Sequence, residues 1–264
     1  MSLYALALKE ASIEPLAPAS FLTGVKGYNR DSARAFLRAQ PGFLGRNLQL
    51  EAARELAAAA GLAGFETMLV EETAVQAPPR PIEAEKIEPK GNGFNATAGG
   101  AITFVPYESI TVFTAAAYDA FTVPDTIQAM NPGVFEKMAR LVGAETPKVP
   151  APVRETFFRA DIIFGLERQR HPLSGSERSE RLRFLLKPEN LDFSPLGPAR
   201  SPSSLINFRV LLDIISASCF KAAKNVFLQA FITGRPLTPL KIAAPEAADL
   251  ELTRLLLLTA KRAE

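Results

Sequence analysis

The clearest alternation of apolar and polar positions in this chain lies in residues 87–118. Apolar residues flank a threonine at 102–104 and again at 110–112, and a period of two is typical of half-buried strands. Residues 91–93 and Gly99-Gly100 predict tight turns, because glycine adopts positive φ angles without steric cost. We therefore expect three or four consecutive antiparallel strands, with the following chain continuing the same sheet.

The chain before this stretch predicts a smaller unit at residues 1–73, in the order strand, helix, helix, strand, helix, strand. Strands are expected at 3–8, 43–48 and 65–70, helices at 32–40 and 50–60, and at best an irregular helix at 16–27, where prolines interrupt the pattern. A linker is predicted at residues 74–83, because Pro78, Pro79 and Pro81 favour extended backbone.

The second half of the chain predicts further strands followed by helices. Residues 119–155 contain five prolines and predict an insertion with one helix at 134–142. Strands are expected at 157–166 and 182–187, and helices are expected from Ser201 and over 245–261. The leucines at 255–258 are too apolar to remain exposed, so the last helix must pack on another element.

Asp161 is an acidic residue within an apolar strand. Arg159 and Asp161 share one strand face, opposite Phe158, Ala160, Ile162 and Phe164. We expect Asp161 to pair with Arg159 or with an arginine of a neighbouring strand.

The order of elements in residues 1–73 resembles the βααβαβ module of the ribosomal stalk protein's C-terminal domain and of the Clp protease adaptor for N-end-rule substrates. The likeness rests on the three strands and on the helix at 50–60. The adaptor's acidic substrate-binding stretch is not matched, since residues 12–15 read Ser-Ile-Glu-Pro after the first strand. Both relatives bind proteins through this module, so the resemblance implies a docking role.

Residues 84–218 resemble the pleckstrin-homology-like superfold, including its bacterial versions. The likeness is carried by residues 105–110, by the two later strands and by the helix from Ser201, with the insertion at 119–155 as a departure. Residues 219–264 are expected to form a C-terminal helical extension. The expected fold class is thus α+β: a small N-terminal βααβαβ domain, then an antiparallel PH-like β domain with C-terminal helices.

Composition excludes several classes of site. A net charge of +2 in 264 residues gives no general preference for nucleic acid. Cys219 is the single cysteine and His171 the single histidine, so neither a disulfide within the chain nor a Cys/His zinc site can form. No secretory signal and no apolar run of about 20 residues is visible, so we expect a cytoplasmic protein.

Basic residues concentrate between residues 167 and 187, and they form the candidate binding site. They are Arg168, Arg170, His171, Arg178, Arg181, Arg183 and Lys187. Because arginine binds phosphate and carboxylate through paired hydrogen bonds, the cluster predicts an acidic protein surface, an anionic membrane or an acidic ligand as partner. Nucleic acid is disfavoured, since the loop has no aromatic residue to stack on bases. A solvated loop is the simpler explanation.

Catalytic motifs are scarce. Gly91, Gly93 and Ala96 have the spacing of a dinucleotide-binding fingerprint, but strand-like sequence follows where that motif needs a helix, so we interpret the glycines as turn residues. With no cofactor or metal motif, we interpret the chain as a non-enzymatic interaction, adaptor or assembly protein, whose partner is another protein or a second copy. Two alternatives remain: membrane or anionic-ligand binding through residues 167–187, and an enzyme of unrecognised type with Asp161 or Glu108 in a deep pocket.

Overall fold

The first sheet of the molecule is three-stranded and antiparallel. The computed structural model describes residues 2–10, 16–75, 77–122, 152–166 and 180–262. The sheet has the order β2-β1-β3, formed by β1 (Tyr4–Leu8), β2 (Phe43–Leu48) and β3 (Thr67–Glu71), and its helices are α1 (Leu16–Lys26), α2 (Arg30–Ala39) and α3 (Leu50–Leu62). The predicted order of elements is therefore present.

Helix α1 is more regular than the sequence predicted. It runs for 11 residues, although Pro18 lies within it. Pro18 occupies the first turn, where backbone N–H groups have no partner inside a helix, so the missing donor costs nothing. Leu22 of α1, Leu37 of α2 and Leu56 of α3 all bury their side chains against one face of the sheet.

The predicted meander forms a second antiparallel sheet. Its strands are β5 (Lys86–Pro89), β6 (Gly93–Ala98) and β7 (Ala101–Pro106), in the order β5-β6-β7. Gly99 and Gly100 both have positive φ angles, 54° and 78°, as the predicted tight turn requires. At Gly93 glycine is needed for lack of space, since a Cβ atom there would lie 2.3 Å from the backbone oxygen of Val105.

The expectation that one sheet continues beyond residue 106 is wrong. A short 3-10 turn at Tyr107–Ser109 carries the chain away, and β8 (Ile110–Thr122) opens a third sheet of order β11-β8-β9-β10-β4. Its other strands are β4 (Pro81–Glu83), β9 (Val153–Leu166), β10 (Glu180–Leu186) and β11 (Ala223–Lys224). Strand β4 pairs parallel to β10, so the end of the predicted linker belongs to a sheet.

The predicted insertion is shorter than residues 119–155. Strands β8 and β9 remain paired as far as Thr122 opposite Val153, and Arg154 forms an ion pair with Asp119 at 2.7 Å. Residues 119–122 and 153–155 are therefore part of a long antiparallel hairpin, because cross-strand pairing and this ion pair outweigh the local proline signals. The helix expected at 134–142 lies outside the described residues.

Both faces of the five-stranded sheet are covered. On one face it packs against α4 (Ser204–Ser218), α5 (Val226–Thr233) and the β5-β6-β7 sheet, in a core that includes Phe94, Phe164 and Phe208. On the other face lies α6 (Pro245–Arg262). The structure is of mixed α+β class, and among the described residues no helix is long and apolar enough to cross a membrane.

Helix α6 lies between two sheets. Its Leu252 and Leu255 pack on Val112 and Ile163 of the five-stranded sheet. Its other side packs on the second face of the N-terminal sheet, through Leu250, Leu257 and Leu258 against Ala5, Ala7, Phe43 and Met68. The expectation that the leucines at 255–258 must pack is confirmed.

Candidate functional site

The structure separates the predicted basic cluster into residues with different environments. Arg168, Arg170, His171 and Arg178 lie outside the described residues. Arg181 is exposed on β10. The Nζ atom of Lys187 already donates to a carboxylate oxygen of Glu83 at 2.7 Å.

The environment of Arg183 differs from the predicted one, in which its guanidinium binds an external anion. Its side chain is 1% exposed, and its Nε donates to Asp161 Oδ1 at 2.8 Å. One terminal nitrogen donates to Asp249 Oδ1 at 2.5 Å, and the other approaches the carbonyl oxygen of Pro79 at 3.4 Å. Its guanidinium is thus bound by the protein itself, because α6 covers the strand face that the sequence pattern left open to solvent.

Asp161 accepts hydrogen bonds from two arginines. The guanidinium of Arg159 donates to both its carboxylate oxygens, each at 2.9 Å, in addition to the bond from Arg183. Burial acts to lower the pKa of Arg159, but the carboxylate of Asp161 outweighs it and the pKa is raised. The prediction that Asp161 pairs with Arg159 or with an arginine of a neighbouring strand is confirmed, since it pairs with both. A carboxylate held in this way has a structural role and is poorly placed for proton transfer to a substrate.

A third buried arginine, Arg254, which the sequence did not reveal, joins α6 to the N-terminal sheet. Arg254 is 1% exposed and donates to both carboxylate oxygens of Glu251 and to the backbone oxygens of Leu8 and Glu10. Gly42 lies against its guanidinium, and a Cβ atom there would be 1.9 Å from Arg254 Nε. The spacing of Glu251 and Arg254 on a helix was a visible signal, but their burial depends on strand β1, which is distant in sequence.

Neither of two cavities in the described part of the chain is built as a substrate site. One, of about 60 Å³, lies between α2, β8 and α6 and has room for a few water molecules, which is far below the size of typical ligand pockets. The other is an open depression of about 530 Å³ beside the start of α4. Its Asp192 and Asn207 bond to Ser194 and Ser201 of the same chain. Neither cavity is lined by Asp161 or Glu108.

In the part of the chain that the structure describes, neither a reactive cysteine nor a metal site is found. The Cys219 side chain is buried, and burial raises the pKa of its thiol, which disfavours a nucleophilic thiolate. No cluster of three or more potential metal ligands is present among these residues.

Among the described strands, β7 lies at a free edge of its sheet and has apolar side chains facing solvent. Ile102 is 70% exposed and Phe104 is 42% exposed, whereas Val105 is fully buried. The alternation at 102–104 predicted a half-buried strand without telling which face is inside, and in the structure Ile102 and Phe104 face outwards. The inner face of β7 is instead supplied by Thr103 and Val105, which lie opposite Ala96 and Phe94 of β6.

The backbone of β7 has unused hydrogen-bonding groups on its outer edge. Residues flanking a two-residue hairpin loop exchange both hydrogen bonds, and every second pair beyond them does the same. Ala101, Thr103 and Val105 therefore bond to β6. The N–H and C=O groups of Ile102 and Phe104 point away from β6, and among the described residues no other strand pairs with them.

The edge at β7 also lacks the charges that usually protect sheet edges. Among the described strands that end a sheet, the other five each include a charged residue: Arg46 in β2, Glu71 in β3, Glu83 in β4, Lys86 and Glu88 in β5, and Lys224 in β11. Natural proteins use edge charges, very short strands and prolines to prevent pairing with other chains. Strand β7 has six residues, no charge, and a proline only at its last position. We take this edge as the candidate functional site, a binding surface rather than an active site.

The sequence contained a signal for this edge, because Ile102, Phe104 and Val105 put apolar side chains on both faces of one strand.

Comparison of the chain with family models, with curated proteins and with solved structures found no significant match.

Proposed function

We propose that the protein is a non-enzymatic assembly or adaptor protein that binds a partner polypeptide by strand addition at β7. The observation that carries this proposal is the uncharged, unpaired edge with exposed Ile102 and Phe104. In strand addition, backbone hydrogen bonds supply affinity and alternate side chains supply specificity. Strand β7 offers both.

The N-terminal module is a weaker candidate for docking. One face of its sheet is covered by α1, α2 and α3, and the other by α6 of the same chain. A partner on the second face would have to displace half-buried leucines of α6 and the bonds of Arg254. The resemblance of residues 84–218 to the pleckstrin-homology-like superfold stays a prediction, and the proposal does not depend on it.

The alternative functions receive less support from the described residues. An enzyme would need reactive groups at a cavity, and Asp161 is instead saturated by two arginines. For anion binding at residues 167–187, Arg181 remains an exposed cation among the described residues. Arg183 and Lys187 instead pair with carboxylates of the chain. We place the proposed role in the cytoplasm, because the single Cys219 suits a reducing compartment.

The test is affinity capture with the tagged full chain at moderate salt, from a native lysate that also contains the untagged chain. We compare the wild type with Ile102→Lys, which introduces a charge at the edge, and with Leu62→Lys, which changes a 93% exposed leucine on α3. The proposal predicts a polypeptide bound in stoichiometric amount that Ile102→Lys loses and Leu62→Lys retains. If all three proteins retain the same polypeptides, or if none retains any, strand addition at β7 is overturned.

A further inference from the structure

We propose that the strand added to β7 is β7 of a second copy of this chain. The two strands would run antiparallel, with Thr103 of one copy facing Thr103 of the other on a twofold axis. The inference rests on the proposed function and names the partner for the same edge. Its product is a continuous six-stranded sheet formed by the β5-β6-β7 sheets of both copies.

The outward backbone groups of β7 are complementary to themselves in this register. Centring the pair on Thr103 puts Ile102 opposite Phe104 of the second copy, and Phe104 opposite Ile102. These are the two residues whose N–H and C=O groups point away from β6. Each opposed pair exchanges two hydrogen bonds, so the dimer gains four. Pro106, which has no N–H, falls at the end of the ladder, where no donor is required.

The side chains fit the same register. On the outer face, each Ile102 lies beside a Phe104 of the other copy, and pairs of aromatic and β-branched residues stabilise antiparallel sheets. On the inner face, two Thr103 side chains meet, which is also a favourable cross-strand pair. The exposed parts of Ile102 and Phe104, 70% and 42% in the single chain, would be partly covered where the two strands meet.

The paired strands carry no charge of their own. Strands β6 and β7 contain no charged residue. Two carboxylates lie closest to β7: that of Glu85 accepts a hydrogen bond from the backbone N–H of Gly99 in the β6–β7 turn, and Glu108 is exposed two residues after Pro106. The other charges of this sheet belong to β5 and its turn, two strands away, or about 10 Å from β7. Of these, Lys86 pairs with Asp192 and Lys90 with Glu88 inside one copy. Self-association at β7 therefore buries no charged side chain of β6 or β7.

The first test measures the molar mass of the purified full chain by sedimentation over a wide concentration range. We expect a reversible monomer–dimer equilibrium in the wild type and in Leu62→Lys. Ile102→Lys should raise the dissociation constant roughly 100-fold, because each dimer would hold two unpaired ammonium groups at its interface. A wild type that stays monomeric, or a dimer that Ile102→Lys leaves unchanged, overturns the proposal.

A second test determines the register by disulfide cross-linking under mild oxidation. Opposed residues of a non-hydrogen-bonded pair have Cα atoms about 4.5 Å apart, within the range of about 4.4–6.8 Å that a disulfide spans. Thr103→Cys should therefore cross-link two copies. Ile102→Cys is the matched control, since the two 102 positions are diagonal, about 7–8 Å apart. Wild-type Cys219 is buried and reports the background.

The outcomes separate this inference from the proposed function. Cross-linking of Thr103→Cys well above Ile102→Cys supports the symmetric pair, and equal cross-linking of the two overturns it. A monomeric wild type that captures a different polypeptide through β7 overturns self-pairing while strand addition stands. A monomeric wild type with no edge-dependent capture overturns both.

Discussion

At the scale of single residues, the structure is distinguished by arginines buried in ion pairs. Arg183 and Asp161 are each 1% exposed, and Arg159 completes the group between the five-stranded sheet and α6. Bringing such charges out of water is costly, and their attraction only roughly offsets that cost. Removing one partner is different, because the other charge then remains buried and unpaired.

We predict that Arg183→Ala lowers the free energy of unfolding by about 3–5 kcal/mol, because Asp161 loses one of its two buried partners. Arg181→Ala is the matched control, since Arg181 is exposed on the same strand, and it should change stability by at most about 0.5 kcal/mol. The measurement is urea unfolding followed by circular dichroism. Equal effects of the two substitutions would show that the buried pair is not structural.

Part of this residue-level picture could be predicted from the sequence. The alternation in β9 placed Arg159 and Asp161 on one face and predicted their pairing correctly. The concentration of basic residues at 167–187 placed Arg183 among the predicted binding residues, and a strand face with charges usually meets solvent. Here α6 covers it, and no local pattern in β10 records a helix more than 50 positions further along the chain.

At the scale of elements, the β8–β9 hairpin is joined to the segment before α6 by one carboxylate. Asp119 accepts hydrogen bonds from Lys241 Nζ at 2.6 Å, Thr156 Oγ1 at 2.7 Å and Arg154 at 2.7 Å. The hydrogen bond from Lys241 is the main cause that lowers the pKa of Asp119 to about 2, followed by the bond from Thr156. The ionised form is thus favoured by folding.

We predict that this carboxylate makes stability depend on pH between about 4 and 2. A pKa lowered in the folded state gives a stabilisation that is complete above the ordinary value of 3.8 and is lost as the pH falls towards 2. The urea midpoint of the wild type should therefore fall more steeply over this window than that of Asp119→Asn. Asp213→Asn, at an exposed site with no ion pair among the described residues, should follow the wild type. Parallel curves for all three proteins would contradict the assignment.

The elements themselves were predicted better than their arrangement. Except for the regular helix α1, strand and helix positions in the first 71 residues follow from periodicity and capping, and the Gly99-Gly100 turn follows from backbone geometry. The division of residues 86–122 between two sheets could not be predicted from the sequence, because a period of two is the same whichever sheet a strand joins. For the same reason, the alternation could not tell that Ile102 and Phe104 face outwards.

At the scale of the whole molecule, α6 joins two sheets by packing on the N-terminal sheet and on the five-stranded sheet. Leucines on its different sides belong to two separate apolar clusters, and Arg254 bonds to the strand end at Leu8. This packing could not be predicted, since the sequence shows only that the helix must be covered and not by what. The packing of α6 on both sheets implies that the N-terminal sheet and the five-stranded sheet unfold together.

We predict that Leu255→Ala, which empties a fully buried site against the five-stranded sheet, destabilises the N-terminal sheet as well. The expected loss is about 2–5 kcal/mol. Hydrogen exchange read by mass spectrometry should show the opening free energies of β1 and β9 falling by the same amount. Leu62→Ala, at an exposed position, is the control. A loss confined to β9 would show that the two sheets unfold independently.

The position of α6 also has a consequence for synthesis on the ribosome. Strand β3 ends at Glu71, and α6 begins only at Pro245, 174 positions later. At about 5–20 residues per second, elongation over that distance takes roughly 10–35 s. During this time the face formed by Ala5, Ala7, Phe43 and Met68 has emerged without the helix that covers it. The nascent chain thus displays an apolar sheet face that other nascent chains and chaperones can reach until α6 has been synthesised and covers it.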